Sequence, residues 1–228
     1  MNNITENLKR IKENIAAAAH KSGRQAADIT IVAVTKTISP PNLANMFETL
    51  AENGISHLGE NRVQELIEKQ PLMPQNINWH MIGNLQRNKV KYIVGQVALI
   101  QSVTGLQLAQ EISRIAIKKQ VTADVLIEIN IAQEATKHGA MPQEAASLAA
   151  AVAALPNVTL KGLMAMAPFT ATAEENRGYF RQMAELREKI ALPLPILSMG
   201  MTNDYEVAIE EGANMVRIGT AIFGAVVN

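Results

Sequence analysis

The sequence predicts a closed (β/α)8 TIM barrel of α/β class with one extra helix at its N-terminus. Short apolar, β-branched runs alternate with helical patterns eight times along the 228 residues, and strands separated by helices pair in parallel through right-handed crossovers. The runs are apolar at nearly every position, as in Ile29-Thr30-Ile31-Val32-Ala33-Val34, which is the pattern of strands covered on both faces. Eight such units in a chain of this length fit closure into a barrel better than an open α/β sheet, the alternative if one strand is miscounted. No stretch is rich in Gly, Ser or Pro and the composition does not shift, so residues 1–228 are read as one barrel domain.

In order along the chain, apolar residues at Ile4, Leu8, Ile11, Ile15 and Ala18/Ala19 predict a helix over Ile4–Lys21, started by Thr5 or Asn3 and ended by Gly23. This helix is expected to cover one end of whatever the strands build. The first strand, Ile29–Thr35, leads to a helix over Pro41–Asn53 ended by Gly54. Ser56–Gly59 leads to Asn61–Lys69, and Trp79–Ile82 to Gln86–Tyr92. Val97–Ser102 precedes a helix over Leu106–Lys119. Ala123–Asn130 precedes Pro142–Ala154, whose proline falls in a first turn that needs no N–H. Val158–Met164 leads to the amphipathic helix Ala173–Ile190, and Ile196–Met199 to Asp204–Glu211. Asn214–Ile218 leads to a terminal turn or helix over Gly219–Ala225.

Composition narrows the function. Lys+Arg and Asp+Glu number 21 each, so no general attraction to nucleic acid or an anionic membrane is expected. With no cysteine, disulfides, thiolate metal sites and cysteine nucleophiles are excluded. The N-terminus has no basic flank before an apolar core, and the longest apolar tract, Ala145–Leu155, is too short to span a bilayer. The chain reads as soluble and cytoplasmic.

In a barrel, chemistry collects on the loops after the strands. Those loops carry one amine (Lys36), several amides and hydroxyls, and few charges, an inventory suited to a polar small molecule. Lys36 closes the first strand. An amine with apolar neighbours at a buried strand tip is a candidate Schiff-base nucleophile, because desolvation favours its neutral form. Taken alone, it reads more simply as a solvated lysine. Ser198 and Gly200 follow the seventh strand and Gly219-Thr220 the eighth, where barrels often bind phosphate through backbone N–H groups, hydroxyls and a helix start. Tight turns and helix caps explain these residues equally well. Alternation puts Arg217 on the face of Met215, opposite Val216 and Ile218. A guanidinium there needs a partner, either a carboxylate such as Glu128 or a ligand's ring nitrogen or anion. Strand-end lysine, phosphate cup and inward arginine together suggest pyridoxal 5'-phosphate (PLP), with Arg217 at the ring nitrogen.

Seven ordered blocks carry a resemblance over nearly the whole chain. They are Ala33-Val34-Thr35-Lys36-Thr37, Gly59 to Glu65, Trp79 to Lys89, Lys137-His138-Gly139, Gly162 to Met166, Ser198 to Asp204 and Met215 to Gly224. The chain resembles the pyridoxal phosphate homeostasis protein family, relatives of the barrel domain of alanine racemase. The resemblance implies an alanine racemase N-terminal-like barrel with Lys36 as the PLP Schiff base and Arg217 at the ring nitrogen. It places phosphate on Ser198, Gly200, Gly219 and Thr220, and Asn61 beside the ring. Thr35, Asn84 and Thr202-Asn203 depart from the family's usual residues, but the hydroxyls survive.

The implied role is a monomeric, non-catalytic binder that regulates intracellular PLP (vitamin B6) and delivers it to apo forms of PLP enzymes. A PLP-dependent amino-acid racemase is the alternative. Racemisation needs a second base, and the chain ends at Asn228, leaving no room for the racemase's β-rich domain. Of Tyr92, Tyr179 and Tyr205, only Tyr205 is near enough in sequence to reach the mouth. A sugar-phosphate aldolase using Lys36 is a third reading. His57 and His80 fall on neighbouring strands and can approach each other, which without a carboxylate reads as structural rather than metal-binding. Methionines near strand ends read as core filler.

Overall fold

The computed structural model describes residues 3–134 and 137–224. Ala225, the predicted limit of the terminal element, lies outside the described residues. Eight parallel strands close in sequence order: β1 (Thr30–Val34), β2 (His57–Glu60), β3 (Asn78–Met81), β4 (Leu99–Val103), β5 (Ala123–Ile129), β6 (Val158–Ala165), β7 (Ile196–Ser198) and β8 (Met215–Ile218). The closing pair matches Val32 with Arg217 and Ala33 with Ile218, so the open sheet is ruled out.

The helices are α1 (Ile4–Lys21), α2 (Pro40–Glu52), α3 (Val63–Lys69), α4 (Val90–Ile93), α5 (Leu106–Lys119), α6 (Ala145–Ala153), α7 (Arg177–Lys189), α8 (Tyr205–Glu210) and α9 (Thr220–Phe223). α1 and α5 have the predicted limits. The segment Gln86–Tyr92, expected as one helix, is a 3-10 turn over Arg87–Lys89 continued by α4. Its one buried residue, Val90, lies in the second half, with buried Ile93 just beyond it, so the polar first half has no face to anchor a longer α-helix.

α1 buries its apolar stripe, and Asn3 caps it by accepting from the Glu6 N–H at 3.2 Å. It packs along α8 and α9, with Asn7 Nδ2 donating to the Ile222 carbonyl at 3.0 Å. The expected cover for an end of the barrel is therefore a brace on its flank, beside two helices too short to cover the wall alone.

Apolar side chains fill the layer between strands and helices continuously. Inside the barrel the apolar cluster is small: Val32, Leu99, Leu126, Met164 and Met215, with Ile196 packed against it. Two residues further along four of these strands, the interior positions become Gln101, Glu128, Ser198 and Arg217, all buried, and His80 joins them from β3. Alternation thus puts Arg217 inside with Met215 while Val216 and Ile218 face the helices, as expected. Met81, Met164 and Met199 are buried core residues, whereas Met166 and Met201 are exposed on the loops after β6 and β7. No helix among the described residues is long and apolar enough to cross a membrane.

Candidate functional site

Closure makes β1 and β8 neighbours, which brings their C-terminal ends together. Gly219 lies against Val34, where an added Cβ would sit 3.2 Å from the Val34 carbonyl oxygen, and Lys36 follows two residues later. Lys36, Arg217 and Gly219-Thr220 therefore share one mouth. Lys36 is exposed there. Of the two surroundings considered for Lys36, apolar neighbours or solvent, the structure shows the second: Lys36 lies beyond Val34, the last residue of β1, where the wall no longer covers it.

The first turn of α9 closes on Gly219, whose carbonyl accepts from the Ile222 and Phe223 N–H groups at 2.9 and 3.0 Å. The Ala221 N–H donates to Thr202 Oγ1 at 3.3 Å, so the Thr202 hydroxyl stands at the same turn with its own proton still to give. Gly200 is a backbone necessity: its φ is +91°, and an added Cβ would lie 2.6 Å from the Ala208 Cβ. Its carbonyl accepts from the Arg217 N–H at 3.1 Å, pinning the β7 loop to β8. Asp204 anchors the same loop through the Met201 N–H at 2.7 Å, and Asn176 links Asp204 to the Pro168 carbonyl. Asn61, half-buried on the β2 loop, packs its backbone on Gly83, one strand away from Lys36.

Arg217 is buried and directed inward. Its Nη1 donates to Ser198 Oγ at 2.6 Å and its Nη2 to the Ala165 carbonyl at 2.9 Å. The carboxylate partner considered from sequence, Glu128, acts on it only through its charge, as does Asp204. Burial lowers the Arg217 pKa to about 10, opposed by those two carboxylates. Burial likewise pushes the Glu128 carboxyl up, opposed by Arg217 and His138. Ser198 is fully buried beneath the mouth, donating to Gln101 Oε1 at 2.7 Å. It is thus a partner of Arg217 rather than an open wall of the cup. Ser198, Gly200 and Arg217 come together, and Thr202 is the hydroxyl beside Gly219-Thr220.

Behind Lys36 lies a cluster that sequence reading missed. Lys69, on the last turn of α3, is buried and donates to Glu60 Oε1 at 2.6 Å and to the Thr35 carbonyl at 2.8 Å. The Thr35 hydroxyl donates to the same Glu60 oxygen. Burial raises the Glu60 pKa, and hydrogen bonds from Lys69 and Thr35 oppose the rise. The cluster clamps the backbone immediately before Lys36. In sequence, Lys69 is indistinguishable from a solvated residue ending a helix.

His57 and His80 do approach, Nδ1 to Nε2 at 2.9 Å. Tyr205 does not reach the mouth: it is buried, and its hydroxyl meets Asn14 of α1 at 3.1 Å. Its helix turns it toward the outer layer, and burial raises its pKa.

Residues 7–227 match the family model described as alanine racemase, N-terminal domain. The chain is 42% identical over 227 residues to the pyridoxal phosphate homeostasis protein of Aquifex aeolicus, covering 97% of this chain and 98% of that one. Its counterpart of the same name in Escherichia coli strain K12 is 37% identical, covering 99% and 97%. Among solved structures, PipY of Synechococcus elongatus with PLP bound superposes with a TM-score of 0.80 at 30% identity, over 97% of this chain and 100% of that one. An alanine racemase of Clostridium difficile shares the fold at a TM-score of 0.74 and 19% identity, with 58% of its length covered.

Proposed function

The chain belongs to the alanine racemase N-terminal domain family and, within it, to the pyridoxal phosphate homeostasis proteins; on that premise we propose that it holds PLP on Lys36 in intracellular PLP homeostasis, without catalysing a reaction. The observation that carries this reading is the meeting of two strand ends, Lys36 from β1 with Arg217, Gly219 and Thr220 from β8. The residues present fit the group. Lys36, exposed at the mouth, would hold the aldehyde of the group through its amine. Arg217, with N–H groups beyond the two already bonded, would donate to the ring nitrogen. Gly219 and Thr220 offer first-turn amides to the phosphate, and the Thr202 hydroxyl adds a donor. Ser198 and Gly200 serve the site by fixing Arg217 and the β7 loop, and Asn61 flanks the ring.

Bound PLP supplies an electron sink. A permanent cation at its ring nitrogen leaves that nitrogen unprotonated and the sink weak, which suits holding more than turnover. The outward turn of Tyr205 toward Asn14 takes away the tyrosine that a racemase reading would use as its second base. The role extends to a monomeric, cytoplasmic protein, one barrel domain over residues 1–228, that passes PLP to apo forms of PLP enzymes.

The purified protein is expected to be yellow, with a borohydride-trapped pyridoxyl group on Lys36 that Lys36→Ala abolishes. A colourless protein that free PLP does not restore overturns the proposal. Exchange of α-deuterium on alanine above the rate with free PLP would instead make it a racemase.

A further inference from the structure

The interior polar layer joins Arg217 to groups the proposed function does not use. Arg217 Nη1 donates to Ser198 Oγ at 2.6 Å, and Ser198 Oγ lies 2.7 Å from Gln101 Oε1. Gln101 Nε2 lies 2.9 Å from His80 Nδ1, and His80 Nε2 lies 2.9 Å from His57 Nδ1. These contacts cross the barrel from β8 through β7, β4 and β3 to β2. The proton positions follow from what each group can do. A guanidinium only donates, so Ser198 accepts from Arg217 and gives its own proton to the Gln101 carbonyl oxygen. An amide nitrogen only donates, so His80 Nδ1 accepts and carries no proton. The proton of the neutral ring is then on Nε2, where it is donated to His57 Nδ1. Every link points its acceptor toward the arginine, and the alignment holds only while both imidazoles are neutral. Burial agrees, lowering the His80 pKa to about 3 with His57 adding to the effect, and lowering His57 as well.

We propose that Gln101, acting through Ser198, is a positioning residue for Arg217: a neutral, one-directional hydrogen-bond relay solvates the buried guanidinium and fixes it for the ring of bound PLP. A carboxylate in direct contact would solvate the charge too, but would neutralise it and take up its donors. Glu128 on β5 and Asp204 after β7 are the charged groups that act on Arg217, and both do so without hydrogen bonding to it. A chain of aligned dipoles stabilises the cation and leaves its charge in place.

The inference rests on the PLP reading, and two measurements separate their failures. Imidazole 15N shifts of the full chain without cofactor are expected to show His80 neutral at pH 7, protonated on Nε2 and bare on Nδ1. A proton on Nδ1 overturns the relay, and this holds whether or not PLP binds. In PLP titrations followed by absorbance, Gln101→Leu and Ser198→Ala are each expected to weaken binding about tenfold and to shift the band of the bound group, with unchanged far-ultraviolet circular dichroism. Wild-type affinity and spectrum in both variants overturn the positioning role. If a variant fails to fold, the wild-type His80 tautomer decides. Wild-type protein that takes up no PLP overturns the functional reading, and the positioning role with it.

Discussion

The two strand ends that form the mouth are backed in opposite ways. Beneath Lys36, charge meets charge: Lys69 and Glu60, both almost wholly enclosed, sit 2.6 Å apart and grip the Thr35 backbone. Beneath Arg217, a buried cation hydrogen-bonds to neutral groups, the Ser198 hydroxyl and the Ala165 carbonyl, with Gln101 and two histidines behind them, while Glu128 and Asp204 act on it through charge alone. Lys69 holds Glu60 directly and has Glu65 at 3.8 Å, so its charge is met by carboxylates at close range, and the contribution of the cluster is to hold a backbone in place. The relay leaves a net positive charge at its end. One support fixes position; the other fixes position and keeps a charge usable. Under the proposed function, that difference matches the exposed amine, which would react, and the buried guanidinium, which would only need to be present.

Removing Lys69 gives the largest effect that would test the contrast. Lys69→Met should destabilise the fold by roughly 3–5 kcal/mol, since it strands the Glu60 carboxylate in a dry site. Urea unfolding measures this, and adding Glu60→Gln to the same chain should restore much of the loss. A cost below about 1 kcal/mol would mean that the pair is no clamp.

The histidine relay predicts a pH dependence of known sign. The folded pKa of His80, about 3, lies below its ordinary 6.5, so the unfolded chain takes up the proton first. The contribution of His80 is complete above pH 6.5 and is lost as pH falls toward 3, with a limiting slope of about 1.4 kcal/mol per pH unit. Glu60 and Glu128, whose pKa values are raised by burial, work in the other direction, so the quantity to measure is the difference between wild type and His80→Gln. Parallel stability curves for the two between pH 4.5 and 6.5 would remove His80 from the buried, neutral end of the comparison.

The smallest effect belongs to an ion pair whose cation is solvated and whose carboxylate keeps a second partner, Arg177. Arg181 meets Glu211 at 3.1 Å on the surface, and Arg181→Ala should leave the urea midpoint unchanged within scatter, because solvent screens such pairs. A clear shift there would show that burial is not what gives the Lys69–Glu60 pair its weight.

Much of the site was legible in the chain. Arg217 could be turned inward because it shares the parity of Met215 in an otherwise apolar strand, and Lys36 could be placed at a mouth because the apolar run stops there. Gln101 left a usable signal, an amide inside the apolar run Val97–Ser102, which needs a buried partner. Thr202 stood in a recognised loop, but only its bond to the Ala221 N–H distinguishes it from Ser198 as the hydroxyl near the cup. Lys69 left no signal. It ends an amphipathic helix as countless solvated lysines do, and its partner Glu60 is nine residues away on a different element.

Sequence by itself determined the eight strand–helix units, the inward face of Arg217 and Met215 on the eighth strand and the end of the barrel where the candidate site lies. These follow from periodicity, which is a local property of the chain. Only the tertiary structure decided which buried polar groups met which: Ser198 with Arg217, Gln101 with His80, Lys69 with Glu60. Hydrogen bonds act over about 3 Å, and bringing residues 9, 19 or 21 positions apart on different elements within that reach depends on how the elements pack, which no single stretch encodes.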